Sequence, residues 1–148
     1  QHLKAMADDA LAPLVAAQLQ KQGIEADARL PRICGLFKDR CDTTVALAQW
    51  AKAFYADVQI GDADRAQHLT DAVKPAIATL ADKLDGAAWD KASIAAAIKE
   101  TLAAHGLKMP QLAMPVRVLV MGTPQTPSLD AVLALFEKQK ISERLREA

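Results

Sequence analysis

Aromatic residues make up only 4% of this chain. Strands draw heavily on aromatic and β-branched residues, so the scarcity argues against a sheet-built domain. A surplus of one charge is missing as well: eighteen basic residues balance eighteen acidic ones. That excludes the strongly basic surface of a promiscuous RNA binder, but leaves room for a specific site, where a few arginines can contact phosphates and bases. Cysteine is limited to Cys34 and Cys41. Seven residues apart on a helix they share a face but sit about two turns apart, too far to bridge easily, so buried thiols are expected. His2, His68 and His105 are scattered and there is no Cys-x-x-Cys pair, which leaves no ligand set for zinc. No apolar run approaches the roughly 20 residues needed to span a bilayer, and "QHLKAMADD" has no signal-peptide core. The expectation is a soluble cytoplasmic protein with no membrane partner. A glycine-rich phosphate loop, a nucleophile elbow and a histidine at helical spacing from a carboxylate are all lacking, so no catalytic set is expected. Asp8 and Asp9 read as charges at a helix N-terminus.

What is present is apolar residue content of 51% in 148 residues, enough for a real core. Alanine is abundant and apolar positions recur at three and four, which predicts an all-α fold. Asp8 or Asp9 is expected to cap a helix through "ALAPLVAAQLQKQ", with Pro13 tolerated near its first turn and Gly23 as the stop. A second helix is expected over "LPRICGLFKDR", with Pro31 at its start, and a break at "CDTT". Thr43 or Thr44 then caps "VALAQWAKAFY". The polar "ADVQIGDAD" around Gly61 reads as a linker, dividing the chain into helical subdomains 1–60 and 61–148. Beyond it come "LTDAVKPAIATLADKL", with Pro75 in its first turn, and "WDKASIAAAIKETLAAHG", closed by Gly106. The last expected helix is "SLDAVLALFEK", capped by Ser128, ahead of a charged tail "QKISERLREA".

The segment "PVRVLVMGTPQTPSLDAVLALF" sets a cation, Arg117, beside a loop rich in proline. By propensity "VRVLVMG" suits a short strand, yet no partner strand appears, and a buried helical segment is expected. Taken alone, Arg117 reads as a solvated charge and the loop as a simple connector.

Two blocks point further. "MPVRVLVMGTPQTPSLDAVLALFEKQKISERL" resembles the C-terminal signature of bacterial glutamyl-tRNA synthetases, with Pro115, Arg117, Gly122, Pro127, Leu129, Leu133, Leu135 and Lys138 in register. Upstream, "LFKDRCDTTVAL" is similar to the family's Leu-x-Lys-x-Arg-x-x-Thr-Leu element. Within the C-terminal signature Met121, Ser128 and Asp130 depart from the pattern, standing where the family has threonine, glycine and phenylalanine. The resemblance implies an all-helical anticodon-binding region of a class I synthetase. The family's ATP and glutamate belong to a Rossmann domain with His-Ile-Gly-His-like and Lys-Met-Ser-Lys-Ser-like motifs, and neither motif occurs here. It follows from the resemblance that this fragment has no catalytic residue, no metal and no cofactor of its own, whereas the full-length enzyme uses ATP and Mg. The implied partner is glutamate tRNA, bound at its anticodon loop by a monomer, with no DNA partner.

Residue by residue, the resemblance puts Arg117, Thr126, Pro127 and Leu129 around the first two anticodon bases, and Arg40 at the third. Single-stranded RNA is read on splayed bases through hydrogen bonds, stacking and phosphate contacts. For Arg40 the bland reading is a surface ion pair with Asp39 or Asp42. For the whole chain the competing reading is a helical protein-interaction module that binds no RNA.

Overall fold

The computed structural model describes residues 6–147, and these are helical without a strand, as an all-α reading requires. The chain forms two compact units, Gln1–Asp57 and Val58–Ala148.

In the first unit, α1 (Asp8–Gln20), α2 (Leu30–Phe37) and α3 (Thr44–Lys52) pack against one another, with a short 3-10 turn, Lys38–Arg40, continuing α2. The cap of α1 is Ala7, with Asp8 and Asp9 in the first turn, so neither aspartate caps the helix; both still face its positive end. Pro13 sits inside α1 rather than at its start. A proline there costs about 3 kcal/mol. Burial of Leu11, Val15 and Leu19, each 0% exposed, offsets this at about 1.5–3 kcal/mol apiece. Gly23, at φ +77°, ends the helix in the left-handed region, and the Ile24 N–H closes back on the Leu19 carbonyl at 3.0 Å. Thr43 caps α3, its hydroxyl accepting from the Ala46 N–H at 3.0 Å. Phe37 stacks on Trp50 at 5.0 Å between centroids and meets Phe54 edge-on at 5.9 Å, so half of the chain's six aromatics make one cluster. Cys34 and Cys41 are buried and unbridged. Burial, with help from Asp8, pushes the Cys34 thiol up to about 11.

Asp27 binds this unit's connecting loop to the end of α3. Its carboxylate accepts from the Tyr55 hydroxyl at 2.9 Å and from Arg29 Nε at 2.9 Å, while the Arg29 guanidinium lies 5.0 Å over the Tyr55 ring. Burial opposes ionisation of Asp27, but hydrogen bonds from Arg29 and Tyr55 outweigh it and lower its pKa. Burial, then the bond to Asp27, pushes Tyr55 up to about 12 from 10.0. A lowered acid contributes stability above its unfolded value that is lost as pH falls, and a raised one contributes stability that is lost as pH rises through its folded value. The Tyr55 contribution is therefore present below pH 10 and gone above about 12. In denaturant titrations Tyr55→Phe should be less stable than the parent by about 1 kcal/mol at pH 8, a gap expected for one hydrogen bond. The gap should close by pH 12; an equal gap at both would remove the phenol from this role.

The second unit holds α4 (Asp62–His68), α5 (Lys74–Asp85), α6 (Lys91–His105), α7 (Met109–Met121), α8 (Leu129–Ala134) and α9 (Lys138–Leu145). Part of the expected linker is thus helix: α4 starts at Asp62, with Gly61 as its extended cap. The charged tail is likewise helix α9, which buries Ile141, Arg144 and Leu145. Helix α5 packs on α6 and α9, α7 on α4 and α9, and α8 on α6. "VRVLVMG" lies in α7, where Val116, Val118, Leu119 and Val120 are all buried. Apart from Arg117 the stretch is apolar and lies inside the core, and that burial outweighs the few tenths of a kcal/mol by which β-branched residues disfavour a helix. No described helix is long and apolar enough to cross a membrane.

Candidate nucleic-acid interface

The end of α7 is built from two devices. Gly122 takes φ +76°, and its N–H bonds the Val118 carbonyl at 2.9 Å, closing the helix. The chain then turns through residues 123–128, where the Gln125 N–H donates to the Thr123 hydroxyl at 3.3 Å. Ser128 is the N-cap of α8, as expected, but its hydroxyl makes no cap bond.

Three of the sequence-derived site residues meet at one atom. The Thr126 hydroxyl donates to the Pro127 carbonyl at 2.8 Å, and Arg117 Nη2 from α7 reaches the same carbonyl at 3.4 Å. The long second contact is a weak hydrogen bond, so it guides the guanidinium more than it holds it. Arg117 and Pro127 are half-buried, whereas Thr126 is buried. Leu129 is 1% exposed, in the core with Val132 and Leu133. Its side chain anchors the start of α8 and so fixes the C-terminal end of the loop.

Arg40 belongs to the first unit. It closes the 3-10 turn and is exposed. Among the described residues neither Asp39 nor Asp42 forms an ion pair with it. The turn itself is pinned by Lys38, whose ammonium donates to the Met6 carbonyl at 3.0 Å and to Asp8 at 2.9 Å. A Cβ on Gly35 would run into that Asp8 carboxylate, so the bare face of α2 is what lets Asp8 reach Lys38. Burial, then Asp42, raises the Cys41 thiol, with Arg40 opposing them.

Sequence reasoning missed Lys38 as an anchor, as well as the supports behind the loop. Trp89 Nε1 donates to the Phe136 carbonyl at 2.7 Å, and Lys138 Nζ to the Ala87 carbonyl at 2.8 Å. Lys138 was in register with the family signature, but nothing in its spacing names a backbone carbonyl as the partner. Of the three histidines, His105 lies 2.8 Å from the Thr79 hydroxyl and His2 lies outside the described residues. No group of three potential metal-ligating side chains occurs among the described residues.

This geometry defines an all-helical domain with an arginine-bearing helix end. The chain belongs to the anticodon binding domain family, whose model matches residues 7–148. It is 68% identical over 146 residues to the glutamate–tRNA ligase of Albidiferax ferrireducens, covering 99% of this chain and 32% of that protein. Against the glutamate–tRNA ligase of Paracidovorax citrulli it is 65% identical over 152 residues, covering 100% of this chain and 32% of the relative. The chain thus spans about a third of the length of the curated relatives it matches. Among solved structures, a glutamate tRNA ligase from Elizabethkingia meningosepticum in complex with its amino acid superposes with a TM-score of 0.91 at 19% identity, over 99% of this chain and 30% of that one. That likeness establishes the fold.

Proposed function

We propose that this chain is the anticodon-reading part of a glutamate–tRNA ligase, working in the cytoplasm as a monomer on glutamate tRNA. Attachment of glutamate, with ATP and Mg, belongs on this reading to the portion of the relatives that the chain does not span. Family membership and 68% identity to a glutamate–tRNA ligase support it. The observation that carries it is the convergence of Arg117 and Thr126 on the Pro127 carbonyl, which sets a planar guanidinium beside a partly exposed turn. Such a fork suits base edges and phosphates. Arg117, Thr126, Pro127 and Leu129 would serve the first two anticodon bases: the arginine by contact, Pro127 by apolar surface, and Thr126 and Leu129 by shaping the turn. Arg40, in the other unit, would serve the third.

Titration with glutamate tRNA tests this. The chain should bind it, and Arg117→Ala in the full-length ligase should weaken binding by about 1–3 kcal/mol, as for the loss of hydrogen bonds to a charged group. Helical circular dichroism should be unchanged. Lost helicity would make Arg117 structural, and absence of binding by the parent full-length protein would sink the whole reading.

A further inference from the structure

Helix α9 is strongly polar, with Lys138, Lys140, Glu143 and Arg144 among its eight residues. Yet Arg144 is only 5% exposed. Burying a guanidinium is expensive unless its donors find acceptors in good geometry. Here Nη1 donates to the Val120 carbonyl at 2.7 Å, and the guanidinium lies 5.0 Å over the Phe136 ring. Val120 is in the last turn of α7, where carbonyls run out of intrahelical donors and the helix dipole is negative. A cation from a distant helix thus binds the end of α7 just before Gly122. Phe136, the surface on which Arg144 rests, is held in turn by the bond from Trp89 to its carbonyl.

We infer that Arg144 is a positioning residue for anticodon reading: by holding the Val120 carbonyl it fixes where α7 ends, and so where Arg117 meets the Pro127 carbonyl across the turn. The inference rests on the proposed reading of this loop as an RNA contact. Lysine would keep the charge but lose the planar fork and the stacking on Phe136.

The test uses full-length ligase, its Arg144→Lys variant and its Phe136→Leu variant. Each is assayed for KM and kcat on glutamate tRNA and on tRNA with the first two anticodon letters replaced, with circular dichroism in parallel. The parent should penalise the replaced letters. Both variants should keep their helicity, raise KM for glutamate tRNA about tenfold with kcat within about twofold, and show a smaller penalty, the pattern of lost binding rather than lost chemistry. A parent indifferent to the letters would overturn the reading of the loop itself. A discriminating parent whose variants keep its KM and its penalty would overturn the role of Arg144, as would loss of helicity in the lysine variant, which would make it a residue of the fold alone.

Discussion

Gly122→Ala is expected to destabilise the second unit by about 2–5 kcal/mol. A left-handed backbone costs a non-glycine residue roughly 1–2 kcal/mol, and forced overlap in a packed site about 1–3 more. Both terms apply here, since φ is +76° and a Cβ would stand 2.8 Å from the Gln59 carbonyl oxygen. That atom is backbone and cannot swing aside. Two other glycines separate the terms. Gly106 shares the left-handed conformation, at φ +64°, with nothing within 4 Å of an added Cβ, so Gly106→Ala should show the strain alone, about 1–2 kcal/mol. Gly86 has φ −94° and its nearest atom at 3.9 Å, so Gly86→Ala should be neutral or slightly stabilising. Denaturant midpoints of the three variants give the order directly. Equal losses at Gly122 and Gly106 would show that the approach to Gln59 carries no cost.

Arg40→Gln is expected to shift the choice between glutamate and glutamine tRNAs by about 10- to 100-fold, in favour of the latter, the scale of a charge-assisted hydrogen bond lost from a discriminating site. The proposed third anticodon letter is cytosine in glutamate tRNA and guanine in glutamine tRNA. Cytosine offers adjacent acceptors, O2 and N3, to a guanidinium fork. Guanine presents donors at N1 and N2, which would face the donors of arginine and leave both sides unpaired. Arg40 is exposed, with no ion pair to Asp39 or Asp42, so its replacement should not disturb the fold. Charging of both tRNAs by full-length parent and variant decides the matter; an unchanged ratio would remove Arg40 from the site.

Helices with a chemical start or stop were legible before any coordinates. Pro31, Thr43, Pro75, Gly23 and Gly106 each mark a helix end for a local reason, a fixed φ, a capping hydroxyl or a left-handed turn. Helix α4 escaped because it buries no residue and so leaves no apolar stripe, although acids in its first turn and Arg65 and His68 in its last follow the helix dipole. Helix α9 escaped because one of its three buried positions is an arginine, which any hydrophobic pattern scores as solvent. Around the loop, the sequence could single out Arg117, Thr126, Pro127 and Leu129 only through family likeness. The meeting of Arg117 and Thr126 at the Pro127 carbonyl, and the burial of Leu129, depend on tertiary packing that spacing does not encode.

The stack of Trp50 on Phe37 and the bond from Trp89 to the Phe136 carbonyl give each unit its own indole, and the chain has two tryptophans. One reports from inside an aromatic cluster, the other from a polar tether, so their emission should respond differently as each environment is lost. Replacing either by phenylalanine leaves a single fluorophore reporting on one unit. Unfolding curves from the two single-tryptophan chains that coincide would mean that the units melt as one cooperative body; curves that separate would give each unit a transition of its own.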